Sequence, residues 1–301
     1  MATHHFSPTE YHVTLGPHPP ALRIQDGDTV VTTTVDARGR DASGQIVTGE
    51  LNPLTGPFYI EGAMPGDALA VRLDAIVPNR TWAWSLDVLA TNVVTPEYVL
   101  TLPPRKLVNW VVDTVQGTAR LEAPPRGLEN FAVPLAPMFG CLGVAPRNGQ
   151  VISTVTAGEH GGNMDWNGFG PGVTAYFPVF TPGALFCLGD GHAAQGDGEI
   201  GGTGIELSMN AQFTVRVLKN KPLRTVCGEN AEFIFTIGNA RPLDGALQLA
   251  TTEMHQWLMR DYGLDAYGAS LLLAQSVRYE VGNMFDPAYT MVCKIPKRLL
   301  P

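Results

Sequence analysis

The sequence has few charged residues, few cysteines and no long apolar run. Charged residues make up 16% of 301 residues and the net charge is −8, which argues against a nucleic acid or an anionic membrane surface as partner. The four cysteines form no C-x-x-C pair, so they indicate small buried side chains rather than a zinc ribbon or a redox motif. The N-terminus has no basic region followed by an apolar core, and we expect a cytoplasmic protein.

Two nucleophile arrangements are also missing. The chain has no Gly-x-Ser-x-Gly elbow and no Ser-x-x-Lys pair, so a serine amidase mechanism has no support in the sequence. Cys187 lies near Asp190 and His192, but its neighbours Leu-Phe and Leu are apolar, and burial raises the pKa of a thiol. Water activated by a bound divalent ion is the simplest remaining route to hydrolysis.

Glycine and proline, in contrast, are abundant, and they break the chain into short segments. The sequence has 33 glycines and 24 prolines, which excludes long helices over most of its length. The segments between them are rich in β-branched residues and predict strands at 28–36, 68–77, 107–115, 151–156, 173–180, 185–188, 205–218 and 232–237. We therefore predict a mainly β protein, with a β-sandwich or a distorted barrel-like body.

Only the last quarter of the chain has helical periodicity. Apolar residues recur at helical spacing from Leu243 to Leu258 and predict a helix over 243–261, and a weaker pattern predicts a second helix that begins at Asp265. We expect these one or two C-terminal helices to pack on the sheets. A shift in composition near Pro137 divides the chain into 1–137 and 138–301, which form two portions or one continuous domain.

The candidate chemistry is concentrated in two polar, glycine-rich segments. Gly158-Glu-His-Gly-Gly-Asn-Met-Asp165 carries His160 and Asp165, and Gly189-Asp-Gly-His192 carries Asp190 and His192. Imidazole and carboxylate are ligands for a borderline metal, so we predict a divalent metal site, with zinc as the ion and calcium as the alternative. Asp190 and His192 are two residues apart, which places both side chains on the same face of an extended chain.

Other carboxylates are candidates for a general base or for pocket walls. Glu61 follows an aromatic, apolar segment, and Glu199 lies in a Gly-Asp-Gly-Glu turn; either would serve as the base if burial raised its pKa. Asp36 and Asn52 end their segments and are candidate substrate-binding residues. Glu206 is either an exposed strand residue or part of the site.

Four segments resemble the signature segments of the acetamidase/formamidase family. They are the two polar segments above, Asn52-Pro-Leu-Thr-Gly-Pro-Phe-Tyr-Ile-Glu61 and Phe177-Pro-Val-Phe-Thr-Pro-Gly-Ala-Leu-Phe186. The resemblance implies a homo-oligomeric enzyme that hydrolyses small linear or cyclic amides, such as formamide, acetamide or a lactam, to a carboxylic acid and ammonia or an amine. The competing interpretation is a non-catalytic β-sandwich module with a structural ion, for which histidine ligands would not be needed.

Overall fold

The computed structural model describes residues 1–301 and is mainly β. In chain order the strands are β1 (Thr3–His5), β2 (Thr14–Leu15), β3 (Leu22–Ile24), β4 (Thr29–Thr33), β5 (Leu54–Ile60), β6 (Ala68–Pro78), β7 (Trp82–Leu86), β8 (Leu107–Asp113), β9 (Thr118–Leu121), β10 (Ala132–Pro134), β11 (Met138–Gly143), β12 (Ile152–Ser153), β13 (Ala157–Gly158), β14 (Gly161–Asn163), β15 (Thr174–Pro178), β16 (Phe186–His192), β17 (Met209–Leu218), β18 (Cys227–Glu229), β19 (Phe233–Ala240), β20 (Arg278–Asn283) and β21 (Tyr289–Pro296). The helices are α1 (Pro96–Val99), α2 (Leu243–Tyr262) and α3 (Ala266–Ser276), and short 3-10 turns occupy Arg147–Gly149, Asp197–Glu199 and Lys297–Leu299.

Two large sheets contain most of the strands. One has nine strands in the order β1-β4-β17-β6-β15-β18-β19-β21-β20, and the other has six in the order β13-β14-β11-β16-β5-β3. A four-stranded sheet, β10-β9-β8-β7, and the pair β12-β2 complete the fold. Strands from both sides of residue 137 pair with each other in both large sheets.

The core lies where the two large sheets face each other. Along β17 the buried residues alternate with exposed ones, as expected for a strand with one face on a core. Phe213 of β17 packs against Phe58 and Phe186 of the six-stranded sheet, with ring centroids 5.1 and 5.4 Å apart. Both sheets contribute to one cluster of 37 buried apolar residues, so the predicted sandwich is confirmed.

The C-terminal helices cover the outer face of the nine-stranded sheet, as predicted. Met254, Trp257 and Leu258 of α2 are buried in a second core with residues of β18, β19 and β21. Asp265 is the N-cap of α3, where its carboxylate accepts a hydrogen bond from Gly268 N. None of the helices is both long enough and apolar enough to cross a membrane. The four cysteines are buried and unpaired, as the sequence indicated.

A single bridging residue joins β16 of the six-stranded sheet to β7 of the four-stranded sheet. The backbone of Glu206 forms bridges with His192 at the end of β16 and with Trp84 of β7. Its backbone N–H donates to Trp84 O at 2.8 Å, and Trp84 N donates back to Glu206 O at 3.2 Å. The fold therefore fixes Glu206 beside His192, with the apolar strand β7 next to both.

Candidate active site

The end of β16 brings two of the predicted metal ligands together. All seven residues of this strand are buried, because it lies between β11 and β5 in the six-stranded sheet. His192 Nε2 lies 3.5 Å from Asp190 Oδ1, so the same-face arrangement predicted from their spacing is present. Glu206 Oε1 approaches the same nitrogen and lies 2.9 Å from His192 Nε2. Glu206 is 2% exposed, which excludes the interpretation of an exposed strand residue.

Asn283 connects two more of the predicted carboxylates. Its side-chain amide donates to Asp165 Oδ2 at 2.6 Å, to Asp286 Oδ2 at 2.6 Å and to Glu199 Oε2 at 3.3 Å. Its own oxygen accepts hydrogen bonds from the backbone N–H groups of residues 285 and 286, which close a tight turn after β20. The turn thus orients the amide toward three carboxylates from distant parts of the chain.

Asn283 and Asp286 were not among the site residues predicted from the sequence. The available signal was weak: an Asn and an Asp three residues apart, a spacing that is common in ordinary turns.

Gln195 sets the tautomer of His192. Its amide nitrogen donates to Asp165 O at 2.5 Å and to Gly282 O at 3.3 Å, and because carbonyl oxygens only accept, the orientation of the amide is fixed. The Gln195 oxygen therefore accepts from His192 Nδ1 at 2.8 Å. In the neutral imidazole, Nε2 then carries the lone pair and faces the carboxylates of Asp190 and Glu206.

These side chains form two groups of three candidate donors. Asp165, His192 and Glu199 offer atoms within 4.8 Å of one another, and so do Asp190, His192 and Glu206. Three buried atoms in these groups have no hydrogen-bond partner, namely Asp165 Oδ1, His192 Nε2 and Glu206 Oε2. An unpaired buried polar atom is costly, and such atoms in two donor groups that share His192 fit a cation.

The spacing and the charge of the group also fit a metal ion. Ligand atoms about 2.0–2.2 Å from a tetrahedral zinc lie roughly 3.2–3.6 Å apart, and the two contacts of His192 Nε2 are 2.9 and 3.5 Å long. The group contains five buried carboxylates, namely those of Asp165, Asp190, Glu199, Glu206 and Asp286. Their hydrogen-bond donors are side-chain amides and one backbone N–H. The ion-pair partner of Asp190 and Glu206 is His192, and no Lys or Arg pairs with any of the five. So much uncompensated negative charge favours a bound divalent cation.

The same crowding shifts the protonation equilibria. Burial, and then the charges of neighbouring carboxylates, raise the pKa of Asp165 and of Glu199 well above the usual range. Burial raises the pKa of Glu206 to about 7, although His192 opposes the shift. For His192 burial alone lowers the pKa, but the charges of Glu206 and Asp190 outweigh it and hold the pKa well above its ordinary value. A divalent cation would compete for the site with these protons.

Four of the candidate residues adopt left-handed backbone conformations. The φ angles are 54° at Asn52, 43° at Asp165, 57° at Asp190 and 46° at Glu199. Asn and Asp tolerate this region better than other residues with a Cβ, whereas Glu199 does so at a greater cost. Such strain is typical of functional sites, where the surrounding structure holds a side chain in a required direction.

Two glycines make room for the group. A Cβ on Gly140 of β11 would lie 2.6 Å from Asp190 Oδ2, closer still to Asp165 Oδ1, and 3.2 Å from His192 Cε1. A Cβ on Gly204 would lie 2.5 Å from the ring of His192. The two carboxylates and the imidazole therefore converge on positions that only glycine can occupy without displacing them.

A cavity of about 530 Å³ opens above this group. Asn52, Asp190, Glu199, Glu206 and Asp286 line its floor. The amide of Asn52 donates to Asn163 Oδ1 at 2.9 Å and to Asp190 Oδ2 at 3.1 Å, and its own oxygen has no protein partner. A larger cavity of about 740 Å³ lies beside α2, but none of the five carboxylates lines it. We place the candidate site in the smaller cavity because the chemistry is there.

The remaining three predicted residues have other surroundings, and each needs a correction. Glu61 was expected to be desolvated, but its side chain is 36% exposed, forms an ion pair with Arg23 at 2.9 Å and does not line the cavity.

His160 was expected to be a metal ligand, but it belongs to neither donor group. The residue is 2% exposed, burial lowers its pKa to about 4, and its Nε2 has no hydrogen-bond partner.

Asp36 was expected on the pocket wall, but it is fully buried and all its acceptor positions are used. Its Oδ1 accepts from the backbone N–H groups of Arg38 and Arg40. Its Oδ2 accepts from the Arg80 guanidinium at 2.6 Å and from Trp84 Nε1 at 3.0 Å. Asp36 therefore anchors the loop beside the cavity and has no free oxygen for a substrate.

Solved structures place this fold among the acetamidases. The crystal structure of an acetamidase from Yersinia enterocolitica matches 99% of this chain and 93% of its own, with a TM-score of 0.87 and 34% sequence identity. An acetamidase from Bacillus halodurans matches 98% of this chain and 97% of its own, with a TM-score of 0.84 and 28% identity. Residues 148–244, which include both polar segments, match the model of the Acetamidase/Formamidase family. This chain belongs to that family.

Curated relatives are longer than the matched region. An acetamidase from Mycolicibacterium smegmatis is 37% identical over 262 residues, which cover 67% of this chain and 63% of that protein. A relative from Schizosaccharomyces pombe whose name describes a formamidase is covered over 62% of its length. The chain thus spans under two thirds of the length of these relatives.

Proposed function

We propose that this protein hydrolyses the C–N bond of an amide with the help of a divalent metal ion, zinc in the first instance. The reaction consumes water and yields a carboxylic acid and ammonia, or an amine from a substituted or cyclic amide. The observation that carries the proposal is the donor set around His192 Nε2. Gln195 holds Nδ1, and Asp190 and Glu206, which line the cavity, place carboxylate oxygens 3.5 and 2.9 Å from Nε2. Family membership supports the reaction class.

Asp190, His192 and Glu206 are the residues that would hold the ion, with Asp165 behind them. A bound divalent ion lowers the pKa of water toward about 7 and polarises the substrate carbonyl. His192 would lose its Nε2 proton when an ion binds, and because Nδ1–H is donated to Gln195, the neutral ring would present its Nε2 lone pair to the ion. Histidine distinguishes this site from a structural calcium loop, which uses oxygen ligands. The alternative of a non-catalytic module with a structural ion is therefore less well supported.

Glu199 is the residue that we assign as general base. It lines the cavity floor, and burial followed by the charge of Asp286 raises its pKa, as a group that takes and returns a proton requires. Glu199 would accept a proton from the attacking water and deliver it to the amide nitrogen, which must be protonated before it leaves. The free oxygen of Asn52 accepts a hydrogen bond from the substrate N–H and orients the amide.

Metal analysis combined with an ammonia-release assay tests this assignment. His192→Ala should lose both bound zinc and turnover, because no other nitrogen ligand is in the group. Glu199→Gln should keep the metal and lose turnover by about 100-fold or more, the usual effect of removing a general base. Glu61→Gln, at a partly exposed carboxylate directly after β5, is the matched control and should keep both properties.

Three results would contradict the assignment. A His192→Ala protein with full metal content and activity would remove the metal site from this cavity. A Glu199→Gln protein that loses its metal would identify Glu199 as a ligand and not as the base. Purified protein that holds only calcium and releases no ammonia from any amide would favour the structural-ion module.

We also propose that the chain forms a homo-oligomer, as the family resemblance implies. Light scattering at micromolar concentration would contradict this if it gave the mass of one chain, 32.3 kDa.

A further inference from the structure

One wall of the cavity is apolar, in contrast to its acidic floor. Trp84 and Leu86 are two residues apart on β7 and share one face of the four-stranded sheet. Leu107 of β8 is the registered partner of Leu86, so its side chain lies on the same face. All three line the cavity, and Phe285 lines it from the turn after β20.

This wall is adjacent to the acidic floor. The backbone of Trp84 is hydrogen bonded to that of Glu206, and Leu86 N donates to the hydroxyl of Thr203, which also lines the cavity. Leu107 is 44% exposed although it borders a concave surface. Apolar side chains left open beside a few converging polar groups are characteristic of a ligand pocket.

The cavity is also much larger than the smallest amides. Acetamide occupies roughly the volume of two or three water molecules, under about 100 Å³ at about 30 Å³ per water. The cavity holds about 530 Å³, within the range of pockets that enclose larger organic ligands. Acetamide over the carboxylates would leave Leu107, which is 44% exposed, and the half-buried Leu86 in contact with water beside the buried Trp84.

We infer that the preferred substrate is a primary amide whose acyl part carries an apolar group of about the size of one ring. The amide lies over the carboxylate floor, and the ring packs against Trp84, Leu86 and Leu107 and displaces water from them. This inference rests on the proposed amide hydrolysis and adds the substrate class. Formamide and acetamide would be poor substrates, because they gain nothing from the wall.

A comparison of kcat/KM for acetamide and phenylacetamide tests the inference. We expect phenylacetamide to be favoured by about 10-fold or more, since even one added methylene in an apolar pocket is worth about 10–200-fold. Leu107→Ser should lower this preference by about 10-fold, mostly through a higher KM for phenylacetamide. Leu100→Ser changes a leucine that is 89% exposed and outside the cavity, and it should leave both values unchanged.

The outcomes separate this inference from the proposed function. If acetamide is hydrolysed as well as phenylacetamide, or if Leu107→Ser leaves the preference intact, the substrate class is wrong while amide hydrolysis stands. If neither amide releases ammonia from zinc-loaded protein, the proposed function fails. Calorimetry with phenylacetamide would then test whether the apolar wall binds the ring. Binding that Leu107→Ser weakens would support this role of the wall, and the absence of binding would overturn it.

Discussion

Gly140→Ala is the substitution that tests most directly whether the carboxylates and the imidazole form one working unit. The glycine belongs to β11, and its φ lies outside the left-handed region, so alanine suits the backbone. The added Cβ, however, would lie 2.6 Å from Asp190 Oδ2, closer still to Asp165 Oδ1 and 3.2 Å from His192 Cε1. Both carboxylates would have to move apart to accept it.

The effect on stability should be small, and the effect on the site large. Overpacking a buried position costs about 1–3 kcal/mol, whereas replacing glycine by alanine at a compatible φ contributes about 0.4–1 kcal/mol. The free energy of unfolding should therefore fall by about 0–2.5 kcal/mol. Displacing donor atoms by about 1 Å can lower catalysis by about 100-fold, and we expect a similar loss of zinc affinity.

Zinc affinity measured with a competing chelator, ammonia release and thermal unfolding check this prediction. Gly143→Ala is the matched control from the same strand. Its Cβ would meet Leu15 Cδ1 at 2.7 Å and His160 O at 2.9 Å, and none of the five carboxylates. This control should lose stability to a similar extent and keep both metal and turnover. Our reasoning would be refuted if folded Gly140→Ala bound zinc and turned over amide as the unaltered protein does.

Three further predictions concern groups around and away from the site. Gln195→Leu removes the acceptor for His192 Nδ1 and should weaken zinc binding by about 10–100-fold, as measured by chelator competition; unchanged affinity would contradict the tautomer argument. Asp36→Asn leaves the Arg80 guanidinium buried without its charged partner, so the free energy of unfolding should fall by about 3–5 kcal/mol in denaturant titrations. A loss under about 1 kcal/mol would be inconsistent with a structural role for this ion pair. Burial alone raises the pKa of Asp28, but hydrogen bonds to its carboxylate outweigh it and lower the pKa to about 2 from 3.8. Its stabilisation should thus be complete above pH 3.8 and lost as the pH falls toward 2, and Asp28→Asn should flatten that part of the stability profile.

The local sequence was sufficient to predict the elements and part of the site. Turn residues and β-branched segments located eight of the 21 strands, including the long strands β6, β17 and β19, and periodicity located α2 within one residue of its observed ends. Period-two spacing predicted that Asp190 and His192 share one face, and the two side chains lie 3.5 Å apart, although Asp190 itself adopts a left-handed φ of 57°. The four signature segments indicated the family to which the chain belongs.

Only the tertiary structure decided which carboxylates meet. Glu206 reaches His192 through a bridge between two sheets, and Asn283 joins residues separated from it by as many as 118 positions. Glu61 and Asp36 had equally suitable local sequences, yet one is solvated beside Arg23 and the other is saturated by hydrogen bonds. Burial and pairing of a side chain depend on strands that are distant in sequence, and no local pattern encodes them.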